Sequence, residues 1–158
     1  MRKVIGNKKL FAIEYEIQPG VSHVMGNVRL WLEGVYIGAI EDVNILSAIL
    51  CQLEVPRPEI HENCGFVDKD ADDVYELVYV NDVLENARHS FTPGEAFDDF
   101  SIVVFSCDGY FYFVWKLEDN AYFSYPDYPE GVQSGRVSIS EYYETVSEFS
   151  KVLSQNVP

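Results

Sequence analysis

Asn27-Val28-Arg29-Leu30-Trp31-Leu32-Glu33-Gly34-Val35-Tyr36-Ile37-Gly38-Ala39-Ile40 decides how the rest of the chain is read. Val28, Leu30 and Leu32 alternate with Arg29, Trp31 and Glu33, a period of two that puts an apolar row on one face of a strand and a mixed row on the other. Gly34 breaks the run, and Val35, Ile37 and Ala39 then alternate with Tyr36, Gly38 and Ile40. The spacing predicts a hairpin turning at Glu33-Gly34, where glycine accepts a positive φ. Asp42 or Asn44 is placed to cap a helix whose Leu46, Ile49, Leu50 and Leu53 recur at three- and four-residue intervals. Such a strand, strand, helix unit cannot bury its apolar faces alone, so the flanking chain has to cover them.

Upstream, Phe11, Ile13, Tyr15 and Ile17 share one face of a strand whose other face carries Glu14 and Glu16, which predicts one buried and one wet side. Downstream, Val55-Pro56-Arg57-Pro58 ends the first helix, and Glu59 to Asp73 reads as an exposed acidic loop. A second helix is expected from Asp73, with a stripe of Val74, Leu77, Val78 and Leu84 and an N-terminal pattern of Asp73 with Glu76. Ala87 to Asp99 reads as another acidic connection. Ser101 to Ser106 is apolar on both faces, as a central strand requires, and Asp108-Gly109 signals a tight hairpin into a strand bearing Phe111, Phe113, Trp115 and Leu117. A third strand at Ala121 to Tyr125 would complete the meander. Tyr125 to Gly131 holds two prolines and a glycine and must be a loop. After a short strand at Arg136 to Ile139, Ser138 and Glu141 form a capping box for a closing helix striped by Tyr142, Val146, Phe149 and Leu153. The expected class is α+β, a mainly antiparallel sheet of about five to seven strands with two or three helices packed against it, in one domain over residues 1–158.

The 158 residues carry a net charge of −15, unevenly spread. Residues 1–53 hold five acids and five bases, residues 54–99 thirteen and three, and residues 100–158 eight and three, so the net charges are 0, −10 and −5. A negative field centred on the middle third repels nucleic acid and anionic membrane and attracts a basic partner or a cation. The start of the chain lacks a signal-peptide core and no apolar run is long enough to span a bilayer, so a cytoplasmic protein is expected. Cys51, Cys64 and Cys107 form an odd set at no metal-ligand spacing, read as free thiols in a reducing compartment, with Cys51 in the core.

The usual catalytic and phosphate-binding motifs are absent, and no cofactor is expected. His23, His61 and His89 are scattered; His61 and Cys64 alone do not make a metal site, and surface positions are their simpler assignment. Asp68, Asp70, Asp72 and Asp73 place carboxylates at near-alternate positions, but the run lacks the glycine and the distal bidentate acid of a calcium loop. A solvated helix N-terminus or a docking surface for a cationic partner remain. Asp98-Asp99 are turn acids flanking a strand, while Tyr125, Asp127 and Tyr128 sit on a stiff loop that either presents anchors to a partner or packs beneath itself. The candidate partner-binding set is therefore Glu59, Glu62, Asp68, Asp70, Asp72, Asp73, Asp98, Asp99, Tyr125, Asp127 and Tyr128.

Ile5-Gly6-Asn7 with Phe11 to Glu16, then Met25-Gly26-Asn27, Leu30 to Gly34, Ile37-Gly38, Asp108-Gly109-Tyr110 and the helix from Val137 to Leu153 together resemble bacterial immunity proteins of polymorphic toxin systems, and within them the immunity protein forty-two family. The resemblance spans most of the chain apart from the acidic middle. It implies a small cytosolic protein that binds and blocks a cognate toxin domain and has no catalytic residues; a one-to-one complex with that domain is expected. A basic, nuclease-type toxin would suit the charge. Two other classes compete: an enzyme on a cationic or metal-bound substrate, which needs a deep cleft with a perturbed acid or histidine, and an acidic adaptor, which needs a large exposed apolar patch.

Overall fold

The computed structural model of the chain describes residues 1–19, 22–81 and 83–157. Lys3–Asn7 (β1), Phe11–Gln18 (β2) and Met25–Leu32 (β3) are successive antiparallel strands. The far side of β3 pairs with Val35–Ile37 (β4) at one end and Asn44–Ile45 (β5) at the other. The β3–β4 turn falls at Glu33 and Gly34, with φ of 49° and 86°. Two successive positive φ values match the twist of the flanking strands, which is why the hairpin closes there.

A second antiparallel sheet follows the chain in order: Ser90–Phe91 (β6), Phe100–Cys107 (β7), Tyr110–Leu117 (β8) and Gln133–Ser138 (β9). Asp108 and Gly109 turn β7 into β8 with φ of 48° and 83°, as expected. The helices are Leu46–Leu53 (α1), Pro58–His61 (α2), Ala71–Tyr79 (α3) and Ile139–Ser154 (α4), with 3-10 turns at Cys64–Phe66, Leu84–His89 and Glu95–Phe97. The class is α+β, with nine strands divided over two sheets among the described residues.

The sheets share a core. Phe11, Ile13, Tyr15, Val28, Leu30 and Leu32 face Ile102, Val104, Phe111, Phe113, Trp115 and Val137, with α1 and α4 closing the space. The expected stripe of α4 is buried at Tyr142, Val146, Phe149 and Leu153, and the Ser138 hydroxyl accepts the Glu141 N–H, so the cap forms as read. Gly135 marks a close approach of the sheets: a Cβ there would lie 3.0 Å from two carbons of Leu32.

The other face of the second sheet has its own apolar cluster. Val103, Phe105 and Val114 are covered by Phe66, Val74 and Val78 from the layer made of α2, α3 and the adjoining 3-10 turns. Tyr79 stands between these elements, its hydroxyl hydrogen-bonded to the Ile102 carbonyl and the Ser90 hydroxyl.

Several local expectations are corrected. Ala121 to Tyr125 is not a strand, because the Asp99 carboxylate accepts the N–H groups of Tyr122 and Phe123 and holds that segment as a loop. The third meander strand is β9 instead. Asn44 belongs to β5 and accepts the Ala96 N–H at 3.3 Å, so α1 starts with no side-chain cap. Glu59 to Asp73 is not a plain loop, since it contains α2, a 3-10 turn with buried Phe66, and the start of α3. Helix α3 begins at Ala71 without a side-chain cap, and Leu84 lies beyond its end and is 89% exposed. The segment after it contains β6 and buries His89, Phe91, Ala96 and Phe97.

Cysteine usage is also corrected. Cys64 and Cys107 form a disulfide across 43 residues, and Cys51 is exposed, since it points away from the buried row Leu46, Ile49, Leu53. The wet face expected for β2 is covered at Glu14, which is 5% exposed. Its carboxylate accepts from Arg29 Nε at 2.8 Å and from Trp31 Nε1 at 2.7 Å, with Lys8 Nζ at 3.4 Å. Burial alone would raise its pKa, but the Trp31 and Arg29 hydrogen bonds and the charges of Arg29 and Lys8 outweigh that and hold it below the usual range.

Candidate partner-binding surface

The predicted binding residues separate into two groups. Glu59 and Glu62 lie on or just after α2, and Asp68, Asp70, Asp72 and Asp73 lead into and open α3; all six are exposed. Among the described residues none of the six takes part in an ion pair. They sit on the layer that covers the outer face of the second sheet, and negative charge near the first turn of α3 is favoured by the helix dipole. That layer also exposes Ile60, Val67, Val80, Val83 and Leu84. Apolar side chains among unpaired carboxylates were missed by reading the segment as a solvated loop. The signal was present, since aliphatic residues that fit no helical or strand period stand out in an acidic tract.

The second group is tied into the fold. Asp99 accepts the Tyr122 and Phe123 N–H groups at 2.7 and 3.0 Å and the Tyr125 hydroxyl at 2.8 Å. Burial pushes its pKa up, but these three donors outweigh the penalty and hold it below the usual range. Asp98, exposed beside it, is shifted upward by partial burial and by the neighbouring charges of Asp42 and Asp99. Tyr128 accepts the Trp115 Nε1–H at 2.9 Å and donates to the Tyr36 carbonyl at 2.6 Å. Tyr125 and Tyr128 are half-buried and pack against Phe100 and Tyr36. The loop thus packs beneath itself at both tyrosines, while Asp127 is exposed with a φ of 59°.

The histidines at the inner margin of the outer layer are not surface residues. His61 is 4% and His89 0% exposed, with ring centroids 6.3 Å apart. His89 Nδ1 lies 2.9 Å from the Val104 carbonyl and so donates, which leaves Nε2 to accept from Arg88 Nε at 3.2 Å and Asn63 Nδ2 at 3.3 Å. Burial, then the charge of Arg88, outweigh the Val104 carbonyl and push the His89 pKa down to about 4; His61 is lowered mainly by burial. His61 Nδ1 is held by the main chain at Arg57 and His89 Nδ1 by the Val104 carbonyl, so both rings are tied into the fold. Among the described residues the Cys64 and Cys107 sulfurs and the Asp108 carboxylate make the one group within metal-ligating reach, and the two sulfurs are bonded to each other. The His61–Cys64 metal pairing is therefore not formed.

A groove of about 290 Å³ opens on this side between α3 and β9, lined by Phe66, Phe105, Tyr112 and Val114 together with the charged Glu33, Lys69 and Arg136. Among the described residues no helix is long and apolar enough to cross a membrane.

The sequence matches the family model for immunity protein 42 over residues 1–152. The chain belongs to the immunity protein 42 family. Membership assigns it an immunity function against a toxin and points to an inhibitor in place of a catalyst. No curated protein matches the sequence. In structure the chain is similar to a crystallised CdiI from Burkholderia dolosa AUO158, with a TM-score of 0.62 at 12% identity, covering 95% of this chain and 99% of that one. At that identity the likeness shows a shared fold.

Proposed function

We propose that this protein neutralises a basic, nuclease-type toxin domain of a contact-dependent or secreted effector system by forming a one-to-one complex through the acidic layer over the second sheet. The observation that supports this reading is the concentration there of six exposed carboxylates that form no ion pair among the described residues, interspersed with exposed aliphatic side chains. Rim carboxylates steer a cationic partner and raise the association rate, and apolar contacts at the centre set the lifetime of the complex. A surface of this sign competes with nucleic-acid phosphates for a basic cleft. The whole of residues 1–158 acts as one unit in this reading, in the bacterial cytoplasm, without a cofactor or membrane contact.

The test is co-expression with the C-terminal domain encoded by the adjacent toxin gene, together with stopped-flow association at several salt concentrations. Growth rescue and an association rate that falls as salt rises are expected. Replacing Asp70, Asp72 and Asp73 by asparagine should slow association about tenfold at low salt and leave the rate at high salt nearly unchanged. Failure to rescue growth would overturn the reading, and a salt-independent rate would remove steering from it.

A further inference from the structure

The Cys64–Cys107 bridge joins the 3-10 turn Cys64–Phe66 to the end of β7, and the residues just before the two cysteines are tied together without it. The Asn63 N–H donates to the Ser106 carbonyl at 2.9 Å, Glu62 and Ser106 form a parallel bridge, and the Ser106 hydroxyl donates to the Pro58 carbonyl at 2.8 Å. None of these contacts uses a sulfur atom. Breaking the S–S bond therefore leaves the two Cα atoms near their 5.0 Å separation, with the thiols side by side. A pair held in register by other contacts closes again readily, because each sulfur meets the other at high effective concentration.

Access to the two sulfurs is unequal. Cys64 is exposed, whereas Cys107 is 7% exposed and lines a groove of about 340 Å³ between Pro58, Glu59 and Glu62 on one side and Asp108 and Gly109 on the other. A small thiolate thus reaches the Cys64 sulfur first, and Cys107 is the sulfur that leaves. An Asp108 carboxylate oxygen lies within 4.8 Å of both sulfurs, so it opposes the negative charge brought by the attacking sulfur and then left on Cys107. In a reducing cytoplasm, the setting of the proposed function, the disulfides that do form are transient and catalytic or redox-sensing.

We infer that Cys64 and Cys107 are a reversible exchange site for low-molecular-weight thiols and disulfides, attacked at Cys64. In the reducing direction a thiolate bonds to the Cys64 sulfur, and Cys107 departs as a thiolate that takes up a proton. A second thiolate then attacks the small-molecule sulfur of this mixed disulfide, which frees Cys64 and leaves the two small molecules joined as their own disulfide. Two electrons pass to the protein, and the two protons lost by the small thiols end on the two cysteines; oxidation is the reverse. Free thiols and the bridge are then two states of one site. Cys64 also lies inside the acidic tract, after Glu59 and Glu62 and before Asp68 to Asp73. A partner seated on that tract covers the sulfur under attack, so binding and exchange compete; this coupling rests on the toxin-binding reading, and the exchange itself does not.

The test uses the full chain with β-mercaptoethanol, a neutral thiol, and with its disulfide, followed by acid quench, alkylation and peptide mapping. Reduction of the folded protein should rise linearly with thiol concentration and pass through an adduct on Cys64 with Cys107 alkylated, and the dithiol form should close the bridge when given the small disulfide. Asp108→Asn keeps a residue suited to the φ of 48° at this turn and should speed reduction about two- to fivefold at low salt, a gain that shrinks as salt rises. A rate that levels off at the global unfolding rate, an adduct on Cys107 in place of Cys64, or a dithiol form that keeps small adducts without closing would each overturn the exchange site. Equal rates for Asp108→Asn and wild type would overturn the part given to Asp108. With the toxin domain encoded by the adjacent gene in saturating excess, reduction should slow by about tenfold or more. An unchanged rate in a complex that forms would overturn the coupling, whereas a toxin domain that does not bind would overturn the proposed function and leave the exchange site standing.

Discussion

Reducing the Cys64–Cys107 disulfide should destabilise the protein by lowering the cost of unfolding, with little change in the native contacts. The bridge spans 43 residues, and closing a loop of that length removes chain entropy worth about 4 kcal/mol at 25 °C in the loop-closure account. The native segment is held by other means: Asn63 N–H donates to the Ser106 carbonyl at 2.9 Å, Ser106 Oγ donates to the Pro58 carbonyl at 2.8 Å, and Glu62 and Ser106 form a parallel bridge. These contacts persist without the covalent link, so the reduced protein keeps its fold. Equilibrium urea unfolding of the oxidised protein, the reduced protein and the Cys64→Ala/Cys107→Ala double variant measures the difference. With a slope of about 2 kcal/mol per molar, the midpoint should drop by about 2 M in both thiol-free forms, and the melting temperature by roughly 8–16 °C. Oxidised and reduced midpoints within about 0.3 M of each other would refute the reasoning. Thiol trapping in cell extract decides which redox form operates, since a reducing compartment would keep the two thiols apart and an oxidising one would keep the bridge.

Acid should weaken the fold through the buried histidines. Above pH 6.5 His89 is neutral folded and unfolded and contributes nothing; as pH falls from 6.5 towards about 4 the unfolded chain takes up a proton that the folded state refuses, so stability declines across that window by at most about 3 kcal/mol. Urea midpoints at pH 7.5, 5.5 and 4.5 for wild type and His89→Gln test this: the variant should lose part of the slope, and parallel profiles would refute it. Glu14→Gln should cost about 2 kcal/mol in chemical denaturation, because it removes the charge that faces Arg29 and Lys8 while leaving an oxygen able to accept from Trp31; no change would mean the charge is dispensable. Tyr142→Phe leaves the Leu53 carbonyl without its 2.6 Å donor in a buried site and should cost about 1–3 kcal/mol, read as a lower midpoint, while a neutral result would show that water reaches that carbonyl.

The features legible in the sequence were those set by local chemistry. Glu33-Gly34 and Asp108-Gly109 specify their turns because those residues tolerate the left-handed backbone, and the Ser138 cap and the Tyr142 to Leu153 stripe need only one helix to be read. What was not legible depends on residues far apart. Asp99 holds the 122–123 amides from more than twenty positions away and so moves the third meander strand to Gln133–Ser138, where a glycine and polar residues weaken the strand pattern. The Cys64–Cys107 pairing arises because the 3-10 turn after α2 comes to rest at the end of β7, and three cysteines without spacing rules cannot disclose that. Burial of His61 and His89 has the same origin. At the candidate site the charge was legible and its division was not: Glu59 to Asp73 stayed on the surface, whereas Asp99, Tyr125 and Tyr128 were drawn into hydrogen bonds within the fold.

A single phenol oxygen, that of Tyr128, accepts a hydrogen bond from the Trp115 indole in the second sheet and donates one to the Tyr36 carbonyl in the first. The proline-rich loop is in consequence an internal rivet whose tyrosine cannot be exchanged without loosening the two halves of the core from each other. If the outer helices carry recognition as proposed, their exposed side chains can vary without touching this joint between the sheets.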